Sequence, residues 1–161
     1  MVKAIVPGTF DPITNGHLDV VARASNMFDE VVIAVASSHK KRPLFSLEER
    51  IALANQAVSE MKGLKNVSVV GFDDLLISFA HQIGADVVVK GLRAITDFEY
   101  EFQMTAANYQ MDPSLETMFI MSPPHYMYLS SSIVREIASF GGDVAGIVPP
   151  CVDAALKNKL S

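Results

Sequence analysis

Five polar stretches hold nearly every residue of this chain that could do chemistry: GTFDPITNGH (8–17), SSHKKRP (37–43), DDLL (73–76), KGLRAITDFEYE (90–101) and SPPHYMYLSSS (122–132). Thr9, His17, Lys41, Lys90, Arg93 and the run Ser130, Ser131, Ser132 are donors or cations, which suit the oxygens of phosphate groups. Covalent catalysis is poorly served: the sequence has no G-x-S-x-G elbow, and its one cysteine, Cys151, lies beyond Pro149 and Pro150, away from all five stretches. Zinc would need ligands at close spacing that His17, His39, His81 and His125 do not provide, so no metal is assigned to side chains. One reaction needs only such donors. In nucleotidyl transfer an ionised phosphate attacks the α-phosphate of a nucleoside triphosphate and pyrophosphate leaves. Alignment and charge stabilisation then suffice, without a strong base.

Each stretch also has a plainer reading when taken alone. T-x-G-H by itself is a capped turn, HKKR a solvated loop and three serines a helix start. The first stretch matches neither the P-loop nor the three-glycine dinucleotide fingerprint. Gly8 is expected to let backbone approach a ligand, Pro12 to stiffen the turn, and Thr14 or Asn15 to cap a helix with His17 in its first turn. A helix start favours an anion and depresses the pKa of a histidine held there, so charge on His17 would need the anion itself. Lys90 and Arg93 are cations at the end of a buried strand, where structure alone has little need of them, and Gly91 is expected to give the backbone freedom beside them. Glu99 reads as the last member of a capping box, Thr96-Asp97-Phe98-Glu99, which leaves Glu101 to face a ligand. Met104, Met111, Met118, Met121 and Met127 read as core or interface filler.

The elements that must position these residues follow from hydrophobic period. Five short apolar runs read as strands: KAIV, EVVIAVA, VSVVGF, DVVVK and TMFIM. Helical patterns lie between them: Leu18, Val21 and Ala22; Leu47, Ile51, Ala54, Val58 and Met61 behind the capping box Ser46 to Glu49; Leu76, Phe79, Ala80 and Ile83 up to Gly84; and Phe98, Phe102, Ala106 and Tyr109. Ser130 to Ser132 opens a further helix through Ile133, Val134 and Ile137 that stops at Gly141 and Gly142, and Pro149 and Pro150 start a last one. Strand and helix alternate, which predicts an α/β, Rossmann-like, doubly wound, five-stranded parallel sheet with helices on both faces and a C-terminal helix pair. In such a sheet ligands bind beyond the carboxyl ends of the strands, where all five polar stretches fall.

Composition narrows the class. The 161 residues are enough for one domain, residues 1–161; half are hydrophobic, and the apolar surplus suggests subunit contacts. A formal net charge of −5 argues against a nucleic-acid partner held by a broad basic face. No apolar run approaches the length that spans a bilayer and no signal-peptide pattern opens the chain, so a soluble protein without a membrane partner is expected; with one cysteine, the cytoplasm is the expected compartment.

GTFDPITNGH, the basic loop before PLFSLEER, KGLRAITDFEYE and YLSSSIVRE resemble, in order and spacing and over essentially the whole chain, the bacterial phosphopantetheine adenylyltransferases. TNGH is similar to the T/H-x-G-H signature of the wider nucleotidyltransferase superfamily, and LSSSIVR to its second signature. The resemblance implies transfer of the adenylyl group of ATP to 4′-phosphopantetheine with Mg²⁺ as cofactor, the penultimate step of coenzyme A synthesis. It also implies a homohexamer, with coenzyme A as a possible feedback ligand. It places Thr9 between the two substrates and Thr9, Phe10 and His17 on ATP, with His17 steadying the transition state. Lys41, Leu76 and Lys90 match substrate positions; Gly91, Leu92, Arg93 and Glu101 match nucleotide positions. Tyr126, Met127, Tyr128, Leu129, Ser130, Ser131 and Ser132 match the loop closing over the ATP phosphates. His17, Lys41 and Arg93 are the candidates for catalysis. Lys90 stands where many members carry Arg, which replaces a bidentate fork by a point charge. Two alternatives stay open: another small adenylyl- or cytidylyltransferase, such as one acting on nicotinate mononucleotide, and a nucleotide-binding regulator without chemistry.

Overall fold

A computed structural model describes residues 1–38 and 42–161; His39, Lys40 and Lys41 lie outside the described residues. The chain runs β1 (Lys3–Gly8), α1 (Asn15–Met27), β2 (Glu30–Ala36), α2 (Leu47–Glu60), β3 (Val67–Phe72), α3 (Leu76–Ile83), β4 (Val87–Leu92), α4 (Ile95–Met111), β5 (Glu116–Met121), a short 3₁₀ turn (Pro124–Tyr126), α5 (Ser131–Ser139) and α6 (Pro150–Leu160). All five strand runs read from the sequence are strands, and all are parallel in the order β3-β2-β1-β4-β5.

The strands are apolar almost without interruption because both faces of the sheet are covered. Ala4, Val6, Ile33, Val35, Val87 and Val89 point into the larger core with Val21, Ala24, Ala54, Val134 and Leu156, whereas Ile5, Ala34 and Val88 meet Ile77, Phe79 and Ala80 of α3 on the other side. Strand order reverses at β1, whose two neighbours are treated unequally. β1 pairs with β2 along its whole length, Lys3 against Glu30 through Gly8 against Val35, but with β4 only at Ala4 against Val87 and Ile5 against Val88. Beyond Ile5 the two central strands part, and a crevice opens at the topological switch point.

Two expectations for α4 are corrected. The helix begins at Ile95 behind Ala94, which makes no side-chain cap, so Thr96 is not the N-cap and Glu99 closes no capping box. Asp97 instead occupies the first turn, where it complements the helix dipole and holds Arg93. The apolar stripe of α4 is also unburied: Phe98, Phe102, Ala106 and Tyr109 are exposed, as are Met104, Met111, Met118, Met121 and Met127. These methionines are not filler of this chain's own core.

Candidate active site

The crevice between the ends of β1 and β4 is a cavity of about 440 Å³, well within the size range of small-molecule sites. Its floor is the β1–α1 loop. The Phe10 ring lies over Gly8, 3.1 Å from where a Cβ would stand, so a side chain there would have to push the ring aside by a few tenths of an ångström; the glycine admits an aromatic ring of its own chain. Phe10 holds φ +50°, and its ring meets His17 edge-on at 4.9 Å. Ser38, past the end of β2, has φ +60°. Such left-handed conformations at non-glycine residues cost of order 1–3 kcal/mol each and persist only where surroundings enforce them.

Those surroundings are explicit. Asp11 is buried and accepts the main-chain N–H groups of Leu44 and Phe45 at 2.9 and 3.0 Å, tying the loop to the approach of α2. Arg135 donates to the Asp11 carbonyl and the Ser131 hydroxyl donates to that of Pro12, so α5 grips the loop from above. Arg50, only 1% exposed, reaches up from α2 and donates to the carbonyls of Thr9, Ala36, Ser37 and Phe45.

His17 is set by the helix start. Thr14 is the N-cap of α1, and its hydroxyl accepts the His17 N–H. In return the Thr14 N–H donates to His17 Nδ1 at 3.0 Å, a capping box in which His takes the place of the usual Glu or Gln. Because Nδ1 is an acceptor there, the neutral ring carries its proton on Nε2. Burial, helped by the nearby Arg93 charge, lowers the His17 pKa from 6.5 to about 4. His17 is therefore a neutral donor at the wall of the cavity.

Lys90 lies within β4 and Arg93 just beyond it, and neither is a free cation. Lys90 Nζ pairs with Glu101 at 2.5 Å, both largely shielded from water. Arg93 Nε pairs with Asp97 at 3.0 Å, and its Nη1 donates to the Leu129 carbonyl at 2.8 Å. Glu101 thus faces the cavity, as a partner of Lys90. Gly91 sits in regular strand, and its lack of a side chain is explained by α1: a Cβ there would stand 2.8 Å from Val20 Cγ2. Close helix packing, not backbone freedom, is what glycine supplies at this position. The N-termini of α1 and α5 both reach the cavity, and neither carries an acidic residue in its first turn. That is the electrostatic setting in which an anion binds.

Of the residues singled out from sequence, Thr9, Phe10, His17, Leu76, Lys90, Gly91, Arg93, Glu101, Tyr126, Leu129, Ser130 and Ser131 line this one cavity. Leu92, Met127, Tyr128 and Ser132 are not among its walls, and Lys41 lies outside the described residues. The segment from Tyr126 to Ser132 is not all loop. Tyr126 ends the 3₁₀ turn, Ser130 caps α5 by accepting the Ile133 N–H, and Ser131 and Ser132 are helical. Asp11, Arg50, Asp97 and Arg135 were missed by sequence reasoning. Arg50 left one trace: it falls on the same face as Leu47, Ile51, Ala54 and Val58, a cation in an apolar stripe.

The chain is similar to known proteins in both sequence and shape. A family model described as cytidylyltransferase-like matches residues 5–137. The phosphopantetheine adenylyltransferase of Methylococcus capsulatus is 54% identical over 160 residues, covering 99% of this chain and 97% of that protein. Among solved structures, a nicotinate-nucleotide adenylyltransferase from Vibrio parahaemolyticus superposes with a TM-score of 0.72 at 22% identity, over 99% of this chain and 95% of that one. The nicotinic acid mononucleotide adenylyltransferase of Plasmodium falciparum gives 0.72 at 15% identity, over 98% and 96%. The latter two show a shared fold. The family match over most of the chain and the near-complete alignment at 54% identity place it more narrowly: this chain belongs to the phosphopantetheine adenylyltransferases, within the cytidylyltransferase-like family.

Proposed function

We propose that this protein transfers the adenylyl group of ATP to 4′-phosphopantetheine, giving 3′-dephospho-coenzyme A and pyrophosphate. The observation that carries the chemistry is the convergence of two helix N-termini, the neutral His17 donor, Lys90 and Arg93 on one cavity. The acceptor is suggested by the relative at 54% identity. A phosphate oxygen of the acceptor attacks the α-phosphorus in line, the bond to the bridging oxygen breaks, and its electron pair leaves with pyrophosphate. The acceptor phosphate is already ionised near neutral pH, so no residue needs to remove a proton.

In this reading Thr9 lies between the substrates, and Lys90, Leu76 and Lys41 serve the phosphopantetheine side. Gly91, Leu92, Arg93 and Glu101 serve the nucleotide, and Tyr126 to Ser132 the triphosphate. His17 donates from Nε2 to an oxygen of the α-phosphate as charge builds there. The ion pairs Lys90–Glu101 and Arg93–Asp97 must open or share their cations when phosphates enter, which makes binding an exchange of partners for each cation. Among the described residues no three His, Cys, Asp or Glu side chains form a group that could hold a metal ion. The fitting route is entry with the triphosphate, where the ion would neutralise charge on the leaving group.

No described helix is long and apolar enough to cross a membrane, and we place the enzyme in the cytoplasm as a homohexamer, with the bare α4 face as an assembly surface and coenzyme A as a feedback ligand of the same cavity. A substrate panel tests the reaction. Purified protein with ATP is expected to release pyrophosphate with phosphopantetheine and not with nicotinate mononucleotide. The reverse preference, or no release with either, overturns the assignment.

A further inference from the structure

Arg50 is a costly residue where it stands. A guanidinium buried to 1% exposure must satisfy its donors locally, and four of its hydrogen bonds end on main-chain carbonyls of three separate segments: Thr9 after β1, Ala36 and Ser37 at the end of β2, and Phe45 before α2. An aliphatic side chain would suit the apolar face of α2 at less desolvation cost. Two of the gripped carbonyls immediately precede the two non-glycine residues with positive φ among the described residues, Phe10 after Thr9 and Ser38 after Ser37. One side chain therefore spans both strained corners. Phe10 in turn sets its ring against His17.

We infer that Arg50, which is not among the walls of the cavity, is a positioning residue that locks the β1–α1 loop, the end of β2 and the approach to α2 into one catalytic geometry. The inference rests on the reaction proposed above for what the loops do, and on geometry alone for the lock. The fork matters: Nη1 donates to Thr9 and Ala36 at 2.8 and 2.6 Å, and Nη2 to Ser37 at 3.1 Å. A lysine ammonium is a point charge on a flexible stem and cannot hold these segments in a planar array.

Two measurements test it. In R50K, assayed far below its melting temperature, kcat is expected to fall at least about 30-fold while KM for each substrate moves less than about fivefold, as expected when reacting groups are misplaced rather than lost. Val58→Ala, a cavity in the same helix, serves as the stability control and should leave kcat of the folded enzyme unchanged. R50K with kcat within about threefold of the parent, or a V58A loss as large as that of R50K, overturns the inference. Native-state hydrogen exchange on the unaltered protein gives a second test that needs neither activity nor a folded variant. The Ser37 amide, bonded to the Phe72 carbonyl, and the Phe45 amide, bonded to Asp11 Oδ1, are expected to share one opening free energy across a denaturant series. Separate opening energies overturn the lock even if R50K does not fold. A parent that forms no product from ATP and phosphopantetheine sinks the proposed reaction instead, and the exchange result then judges Arg50 by itself.

Discussion

His17 shows how much one side chain can carry. It completes the cap of α1 through Nδ1 and offers Nε2–H to the cavity, so truncation removes both roles. His17→Ala is expected to lower kcat by roughly 10²-fold or more, the scale of losing one transition-state donor. His17→Gln, which can accept the Thr14 N–H and still present an N–H, should keep more activity and most of the stability. The same ring makes stability depend on pH. Its pKa is 6.5 in the unfolded chain and about 4 in the fold. Between those values the unfolded chain takes up a proton that the fold refuses, so this contribution is complete above pH 6.5 and is lost as pH falls towards 4. Its ceiling is about 3 kcal/mol. Melting temperature measured from pH 7 to 4 should fall more steeply for the parent than for His17→Gln. In the same cavity, Lys90→Ala is expected to raise KM for phosphopantetheine by about tenfold or more with a smaller change for ATP, because it removes a phosphate partner and leaves the partly shielded Glu101 without its cation. Equal changes for both substrates in steady-state kinetics would move Lys90 out of the acceptor site.

At the scale of elements, the site exists because β1 and β4 pair over only their first residues and α1 packs tightly across the gap. Gly91 is the contact that lets it do so. Gly91→Ala should cost about 1–3 kcal/mol by forcing a methyl against Val20 Cγ2. Val20→Ala in the same chain should restore part of that loss, a coupling that denaturant unfolding of the double-mutant cycle would read directly. The strands and helices themselves were legible beforehand because period and capping are local. Ser46 to Glu49 forms the capping box its spacing announces, and α3 ends at Gly84. Thr96 to Glu99 carries an equally good box pattern, but the helix begins behind Ala94, two residues earlier, and the ion pair of Arg93 with Asp97 spans that start. A local pattern of the same quality thus succeeds or fails on a contact that the pattern does not contain.

For the molecule as a whole, the unburied face of α4 is the dominant surface feature. Tyr100, Phe102, Tyr109 and Met111 are each more than half exposed, and Met118 and Met121 of the edge strand β5 continue the apolar surface. Exposed apolar residues in this number are what the assembly proposed above would cover. Phe102→Glu is expected to shift the protein to smaller assemblies in light scattering while leaving the far-ultraviolet circular dichroism unchanged. An unaltered mass would remove this face from the assembly. Glu101 lies on the same helix and pairs with Lys90 in the cavity, so loss of assembly should also weaken catalysis; activity measured across protein concentration checks the link.

What the amino-acid order determined by itself was the alternation of strand and helix, the parallel sheet and the set of loops carrying donors, because these rest on periodicity and on chain direction. It also determined the family, through four motifs in fixed order. Tertiary structure decided what those donors do before a ligand arrives. It neutralised Lys90 and Arg93 with Glu101 and Asp97, put the proton of His17 on Nε2, and left α4 bare. It also placed a buried guanidinium from α2 beneath the loops of two other strands. Each of these depends on groups distant in sequence meeting at short range, where desolvation and hydrogen-bond geometry outweigh any local preference.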